Sequence, residues 1–311
     1  MTLLHLSHVS KHFGSLHVIE DLSLSVDENS VYGFLGKNGA GKTTVMKMIL
    51  GFLPLSGGEI RVCNQPVRYG HTGTNRLMGY LPDVPEFYGF MNPSEYLLLC
   101  GKISGMKEDI LKASSERLLA LVGLDGIKRR IGSFSRGMKQ RLGIAQALLH
   151  SPKLLLCDEP TSALDPVGRK EILDILSVAS KETTIVFSTH ILADVERVCD
   201  RVGILEGGRL VLDGGLSQLR AQGGSDTVFL EPLVKEQLPE LIEVVKRTPG
   251  IAKIKETDTG VSFILTDAKT GCPRLFTLLG SHSVPLRRYV IEEPTLENIF
   301  IHAVTQKAEK E

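Results

Sequence analysis

The chain has 311 residues, long enough for a large core and two domains, and its composition (42% apolar, 23% charged) is that of a globular protein. With 36 basic and 36 acidic residues it carries no formal net charge, which disfavours a nucleic-acid or anionic-membrane surface. Five scattered cysteines without a Cys-x-x-Cys pair argue for reduced thiols, and no apolar run approaches the ~20 residues of a bilayer span.

The start, Met1-Thr-Leu-Leu-His-Leu, lacks the charged and apolar regions of a signal peptide, so a cytoplasmic chain is expected. Strands are predicted over 3–9, 22–26 and 31–35, where apolar residues alternate or run together between turns. His5, His8, His12 and His17 follow neither the strand nor the helix period, and they read as polar surface rather than a metal site.

Between the strand Val31–Leu35 and a helix beginning near Lys42 lies Gly36-Lys-Asn38-Gly39-Ala40-Gly41-Lys42-Thr43-Thr44. Glycines let successive backbone N–H groups point into one hollow, and the helix N-terminus adds partial positive charge there. Such a loop cradles a nucleotide triphosphate. Lys42 would reach the β- and γ-phosphates, and the Thr43 hydroxyl would ligate Mg²⁺.

A turn at 54–58 precedes a short strand over 59–63, and another strand, Met78-Gly-Tyr-Leu81, ends at Pro82-Asp83. Helical patterns at about 94–103 and 107–122, without strand signals, predict a helical lobe inserted into an α/β core. Phe134-Ser135-Arg136-Gly137-Met138 runs into a further helix. A serine and a glycine at a helix start form a second anion site, which suggests a nucleotide shared between two chains.

The core resumes at Lys153–Cys157, an apolar run of the buried parallel kind, ending in Asp158-Glu159. Asp158 would hold Mg²⁺ as a hard oxygen ligand, and Glu159 could polarise a water attacking the γ-phosphate. Asp165-Pro166 opens a helix, 184–189 is a strand, Ile191, Val195 and Val198 line a helix, and strands over 202–205 and 209–212 flank Gly207-Gly208 as a hairpin. Gln222–Ser225 reads as a linker. Strand, helix, strand, strand, helix, strand then follow from 228 to 291, a ferredoxin-like order, with a last helix predicted over 294–303.

Taken with Ser162-Ala-Leu-Asp165 and Ser188-Thr189-His190, these segments strongly resemble the ATP-binding cassette (ABC) transporter ATPases over roughly residues 3–220. The implied fold is an α/β P-loop NTPase core with an antiparallel β subdomain and an inserted helical subdomain. A small C-terminal α+β ferredoxin-like domain would follow. The expected boundaries are 1–221 for the ATPase domain, with its helical part at about 84–150, and 226–304 for the accessory domain.

The resemblance implies ATP and Mg²⁺ as cofactors and two chains facing head to tail. ATP would be held by Gly36, Asn38, Gly39, Ala40, Gly41, Lys42, Thr43 and Thr44 of one chain and by Ser135 and Gly137 of the other. Phe13 would stack on adenine, and Asp165 would link the two sites. Lys42, Glu159 and His190 take the catalytic roles; Thr43, Asp83 and Asp158 take the metal.

The implied partners are a separate transmembrane permease and a second copy or a related ATPase subunit, with no nucleic acid. The implied place is the inner face of the cell membrane. Glu293–Phe300 is similar to a C-terminal segment common in drug-type exporters, and the signature with Arg136 and Met138 resembles that of exporters of the drug and bacitracin type. The alternative is a ribosome- or DNA-associated ABC ATPase, disfavoured by a single phosphate loop and by the neutral charge.

The sequence departs from the family pattern in three places. Arg136 and Met138 replace the usual glycine and glutamine of the Leu-Ser-Gly-Gly-Gln signature, and Asp83 stands where a glutamine is common. Aspartate can ligate Mg²⁺ but repels a bare γ-phosphate, so closure is expected to depend more on Mg²⁺ than it would with glutamine.

Overall fold

Apolar residues facing one side of each strand fold β1 (Thr2–Phe13) against β2 (Leu16–Asp27), burying Leu4, Leu6, Val9, Leu22 and Val26. Both strands run well past the predicted 3–9 and 22–26. His8 and Asp21 adopt positive φ (49° and 48°) at register shifts that break the two-residue period, hiding the rest of the hairpin from a pattern search. The histidines lie along this hairpin, with His8 Nδ1 2.6 Å from Asp21 and the His12 and His17 rings 5.7 Å apart.

The computed structural model describes residues 1–71, 73–222, 226–265, 268–282 and 284–292. They fall into two compact units, Met1–Leu216 and Ser217–Glu311. In the first, β3 (Val31–Leu35) leads into α1 (Lys42–Ile49), and β4 (Gly57–Val62) and β5 (Gln65–Pro66) precede β6 (Met78–Leu81). Helices α2 (Pro93–Ile103), α3 (Glu108–Leu121) and α4 (Arg136–Leu148) then lead to β7 (Leu154–Asp158). Asn92 and Glu95 form a reciprocal capping box at the start of α2, with Pro93 at its first position. The unit ends with α5 (Pro166–Ala179), β8 (Thr184–Thr189), α6 (Leu192–Val198), β9 (Arg201–Glu206), β10 (Arg209–Gly215) and the start of α7 (Leu216–Gln222). Helix α7 covers Gln222, read from sequence as linker; residues 223–225 lie outside the described residues.

Two sheets result. The first strands form an antiparallel sheet of order β2-β1-β4-β5, and the core is a six-stranded sheet of order β10-β9-β3-β8-β7-β6. Pairings from β9 to β6 are parallel, and only the β9–β10 hairpin, turning through Gly207 and Gly208 at positive φ, is antiparallel. Strands β3, β7 and β8 are buried at every position, as expected of a sheet covered on both faces. Because β3, β8, β7 and β6 are neighbours and parallel, the segments leaving their C-terminal ends meet along one rim. That rim is where open α/β sheets bind ligands.

The second unit is β11 (Asp226–Pro232), α8 (Leu238–Arg247), β12 (Ile251–Glu256), β13 (Val261–Leu265), α9 (Ala268–Ser281) and β14 (Leu286–Glu292). Its antiparallel sheet has the order β12-β13-β11-β14, the ferredoxin-like arrangement that the element order predicted. Val228, Leu230, Val261, Phe263 and Leu265 pack with Leu241, Val244, Val245, Leu275 and Leu279 from the helices. The helix predicted over 294–303 lies outside the described residues.

Candidate nucleotide-binding site

The segment between β3 and α1 is a loop that only glycine can build at its tightest point. Gly41 has φ +106°, and a Cβ there would lie 2.5 Å from Ile19 Cδ1. As the residue before α1 it offers no side-chain cap, so the first backbone N–H groups of the helix stay open to an anion. The Lys42 ammonium folds back over the loop. It donates to the carbonyls of Gly36 (2.6 Å) and Lys37 (3.2 Å) and lies 3.1 Å from Glu159 Oε1.

Glu159 sits just past β7 with φ +48°, a backbone state that costs a non-glycine residue about 1–3 kcal/mol and persists only where its surroundings impose it. Here Ser188 imposes it. The Ser188 hydroxyl accepts from the Glu159 N–H (3.0 Å) and donates to Asp158 Oδ1 (2.6 Å). One fully buried serine therefore holds the Asp158 carboxylate and the Glu159 backbone together. His190 Nδ1–H donates to Glu159 Oε2 at 2.9 Å, which leaves Nε2 as the ring's other polar atom. Glu159 Oε1 is shielded from solvent and lacks an aligned hydrogen bond, the Lys42 contact being an ion pair without that alignment.

A second network lies behind this one. Asp194 of α6, 1% exposed, accepts from the Thr161 hydroxyl (2.6 Å) and from Arg169 Nε and Nη2 (3.0 and 2.6 Å). It ties the segment after Glu159, helix α5 and the helix that follows His190 into one block. Thr161, Arg169 and Asp194 are not singled out by sequence reasoning, and Ser188 enters it only as part of the Ser188-Thr189-His190 run, with no role of its own. The β7–β8 register pairs Asp158 with Ser188, and that pairing is invisible before the strands are aligned. Asp194 had a signal: a carboxylate directly before Val195, on the buried side of a short apolar helix.

The cleft has a volume of about 350 Å³, and its walls bring together Asn38, Gly39, Gly41, Lys42, Thr43, Thr44, Asp83, Asp158, Glu159 and His190, with Val18 and Ser162 beside them. Gly36 takes part through its carbonyl on Lys42, while the Ala40 side chain is buried in the core. Phe13, Ser135, Gly137 and Asp165 do not line it. Phe13 is half-exposed at the end of β1, with the Lys11 ammonium 4.7 Å from its ring centre. Ser135 caps α4, its hydroxyl accepting from the Met138 N–H at 3.3 Å and keeping its own proton free to donate. Asp165 caps α5 through Oδ1, which accepts from the Gly168 N–H. Asp83 Oδ1 accepts from Arg136 Nη2 at 3.1 Å, and the Asp83 carbonyl accepts from the buried Gln140 amide at 2.6 Å.

The chemistry of the walls fits a magnesium-bound nucleotide. Thr43, Asp83 and Asp158 supply the hard oxygens that Mg²⁺ selects, beside a lysine and open helix N–H groups for phosphate. The negative field of the carboxylates reaches Tyr80, whose hydroxyl is pushed up to about 12, first by burial and then by Asp158.

Comparison with known proteins agrees. The ABC transporter family matches residues 19–162, and the C-terminal domain of ATP-binding proteins like DrrA1-3 matches 214–304. The uncharacterized ABC transporter ATP-binding protein YxlF of Bacillus subtilis is 35% identical over 303 residues, covering 97% of this chain and 99% of that one. The chain belongs to the ABC transporter ATP-binding subunits. The bacitracin transport ATP-binding protein BcrA of Bacillus licheniformis is 40% identical over 213 residues, 68% of this ABC subunit and 69% of BcrA. Among solved structures, an ATP-binding subunit of an ABC transporter superposes with a TM-score of 0.65 at 32% identity, over 71% of this chain and 93% of its own. CbiO1 of Clostridium perfringens, part of the cbiONQ transporter complex, gives 0.66 at 26% identity over 80% and 96%. The α/β ABC-ATPase core with its helical insertion and separate C-terminal α+β unit is thus the family's architecture.

Proposed function

We propose that this subunit hydrolyses ATP as one half of a head-to-tail dimer and drives a separate membrane permease, as an exporter of the drug and bacitracin type. The observation that carries the dimer is a division of labour. The cleft of one chain holds Lys42, Asp158, Glu159 and His190, whereas Ser135 and Gly137, on a helix start suited to phosphate, lie outside that cleft. A second chain facing the first brings that helix start to the nucleotide.

The residues then divide the reaction. Lys42 turns from Glu159 to the β- and γ-phosphates, and Glu159 Oε1, released, accepts a proton from the attacking water. Glu159 Oε2 stays fixed by His190, whose Nε2 serves the γ-phosphate when protonated. Mg²⁺, when held by Thr43, Asp83 and Asp158, would supply neutralisation of phosphate charge.

Val84, Tyr88 and Phe90 stand 61%, 56% and 67% exposed in the segment between β6 and α2, next to Asp83. Exposed apolar groups beside a cleft wall suit a permease contact. No helix among the described residues is long and apolar enough to cross a membrane, so the reading places this subunit on the inner face through its partner. Export is supported by the likeness to BcrA and by the C-terminal unit's likeness to the DrrA1-3 type.

Glu159→Gln tests the central claim. It is expected to keep nucleotide binding, to lose turnover by about 10²–10⁴-fold, and to elute as a dimer with saturating ATP and Mg²⁺. Lys42→Ala is expected to lose the nucleotide. A Glu159→Gln protein that binds ATP yet stays monomeric overturns the dimer reading.

A further inference from the structure

Among the described residues, Asp83 is the carboxylate that touches both half-sites of the same chain. It lines the chain's own cleft, together with Lys42 and Asp158. It also holds Arg136, the first residue of α4, adjacent to the Ser135 that would serve the other chain's nucleotide. The two tethers from α4 differ in kind. The Gln140 amide, on a fully buried side chain, donates to the Asp83 carbonyl and fixes where the residue sits. The Arg136 guanidinium meets the Asp83 carboxylate as a wet ion pair, with the two side chains 42% and 47% exposed. A pair of that exposure contributes little to stability and is readily exchanged.

We infer that Asp83 and Arg136 form a latch that reports nucleotide occupancy from a chain's own cleft to its own signature helix. The inference rests on the ATPase reading above. With the metal-bound nucleotide in the cleft, the Asp83 carboxylate turns to the cation as a hard oxygen ligand and gives up Arg136. Arg136, charged and unpaired at a helix start, is then free to take phosphate oxygens of the nucleotide held by the facing chain, for which a guanidinium fork is suited. ATP without the cation would leave the latch shut, because bare phosphate repels Asp83. Each chain thus offers its signature only after filling its own cleft, which makes the two sites positively coupled. Glycine, usual at position 136, could not hold such a latch.

Hydrogen exchange on the full-length chain, dilute enough to be monomeric, separates the possibilities. Two segments are followed: the phosphate loop 36–44, which reports binding, and 136–140, which reports the latch. The expected wild-type result is protection of 36–44 by ATP with or without Mg²⁺, and exchange at 136–140 that speeds up several-fold only with Mg²⁺ present. In Asp83→Ala, 136–140 is expected to exchange fast with or without Mg²⁺, read at ATP concentrations raised until 36–44 is protected. Arg136→Ala should show the same loss of cation response. Protection of 36–44 with a 136–140 segment indifferent to Mg²⁺, or an Asp83→Ala chain responding like wild type, overturns the latch and leaves the ATPase reading standing. Absence of protection at 36–44 in the wild type overturns both.

Discussion

Two aspartate–arginine pairs adjoin the segments that build the cleft, Asp194–Arg169 and Asp83–Arg136, and they differ in what surrounds them. Asp194 is 1% exposed, accepts from two of the Arg169 nitrogens and from the Thr161 hydroxyl, and has no room to change partners. Asp83 meets Arg136 through a single bond in a setting where both side chains are wet. The same two functional groups therefore make a bracket in one place and an exchangeable contact in the other. Burial decides it: a desolvated charge cannot be released without a replacement, whereas water replaces a partner at the surface for little. The bracket ties the segment after Glu159 to the helix that follows His190, and the exchangeable contact joins Asp83 to the helix start that the proposed dimer assigns to the facing chain's nucleotide.

The comparison breaks most visibly at the bracket. Arg169→Ala strands the Asp194 carboxylate in the interior and is expected to cost about 3–4 kcal/mol. For a unit of this size that lowers the thermal midpoint by roughly 6–16 °C. Asp194→Ala should cost less, about 2 kcal/mol, because the Arg169 side chain it leaves behind is 30% exposed and can reach water. Urea denaturation of both variants checks the order. If Asp194→Ala proves the more damaging, the bracket is not organised around a buried negative charge.

Ser188→Ala is intermediate. It removes the donor to Asp158 and the acceptor for the Glu159 N–H at once, yet leaves the backbone bond from that N–H to the Ser188 carbonyl at 3.2 Å. The expected loss is about 1–2 kcal/mol of stability. A larger effect is expected on the Mg²⁺ concentration needed for nucleotide binding, since Asp158 is no longer aimed. Calorimetric titration of Mg²⁺ with ATP reads this directly, and an unchanged midpoint would assign Ser188 to the fold alone.

These residues mark the limit of what was legible beforehand. Strands β3, β6 and β13 each have an end set by glycine or proline (Gly36, Pro82 and Gly260), so those bounds could be read from the sequence. The phosphate loop was equally plain, because strand, glycines and lysine are contiguous. The hairpin β1–β2 was half hidden by the positive-φ residues His8 and Asp21. Ser188 and Asp194 were hidden differently: their roles exist only after β7 and β8 pair and α6 packs, bringing together residues about thirty positions apart. The Asp83–Arg136 contact lay between two positions already marked as unusual, but nothing in a linear pattern joins residues 83 and 136.

The smallest expected effect on stability is the sharpest test of the contrast. Asp83→Ala removes one wet ion pair and keeps the Gln140 tether, which uses the backbone carbonyl that alanine also has. Its unfolding free energy should stay within about 0.5 kcal/mol of wild type. Arg136→Ala should match it, and the double variant should add nothing, since a pair already lost cannot be lost twice. A loss near that of Arg169→Ala would mean that Asp83 is a second bracket, too strongly held for a nucleotide to dislodge. A near-neutral cycle, set beside the cation response of residues 136–140, makes the pair weak enough to open and placed where its opening counts.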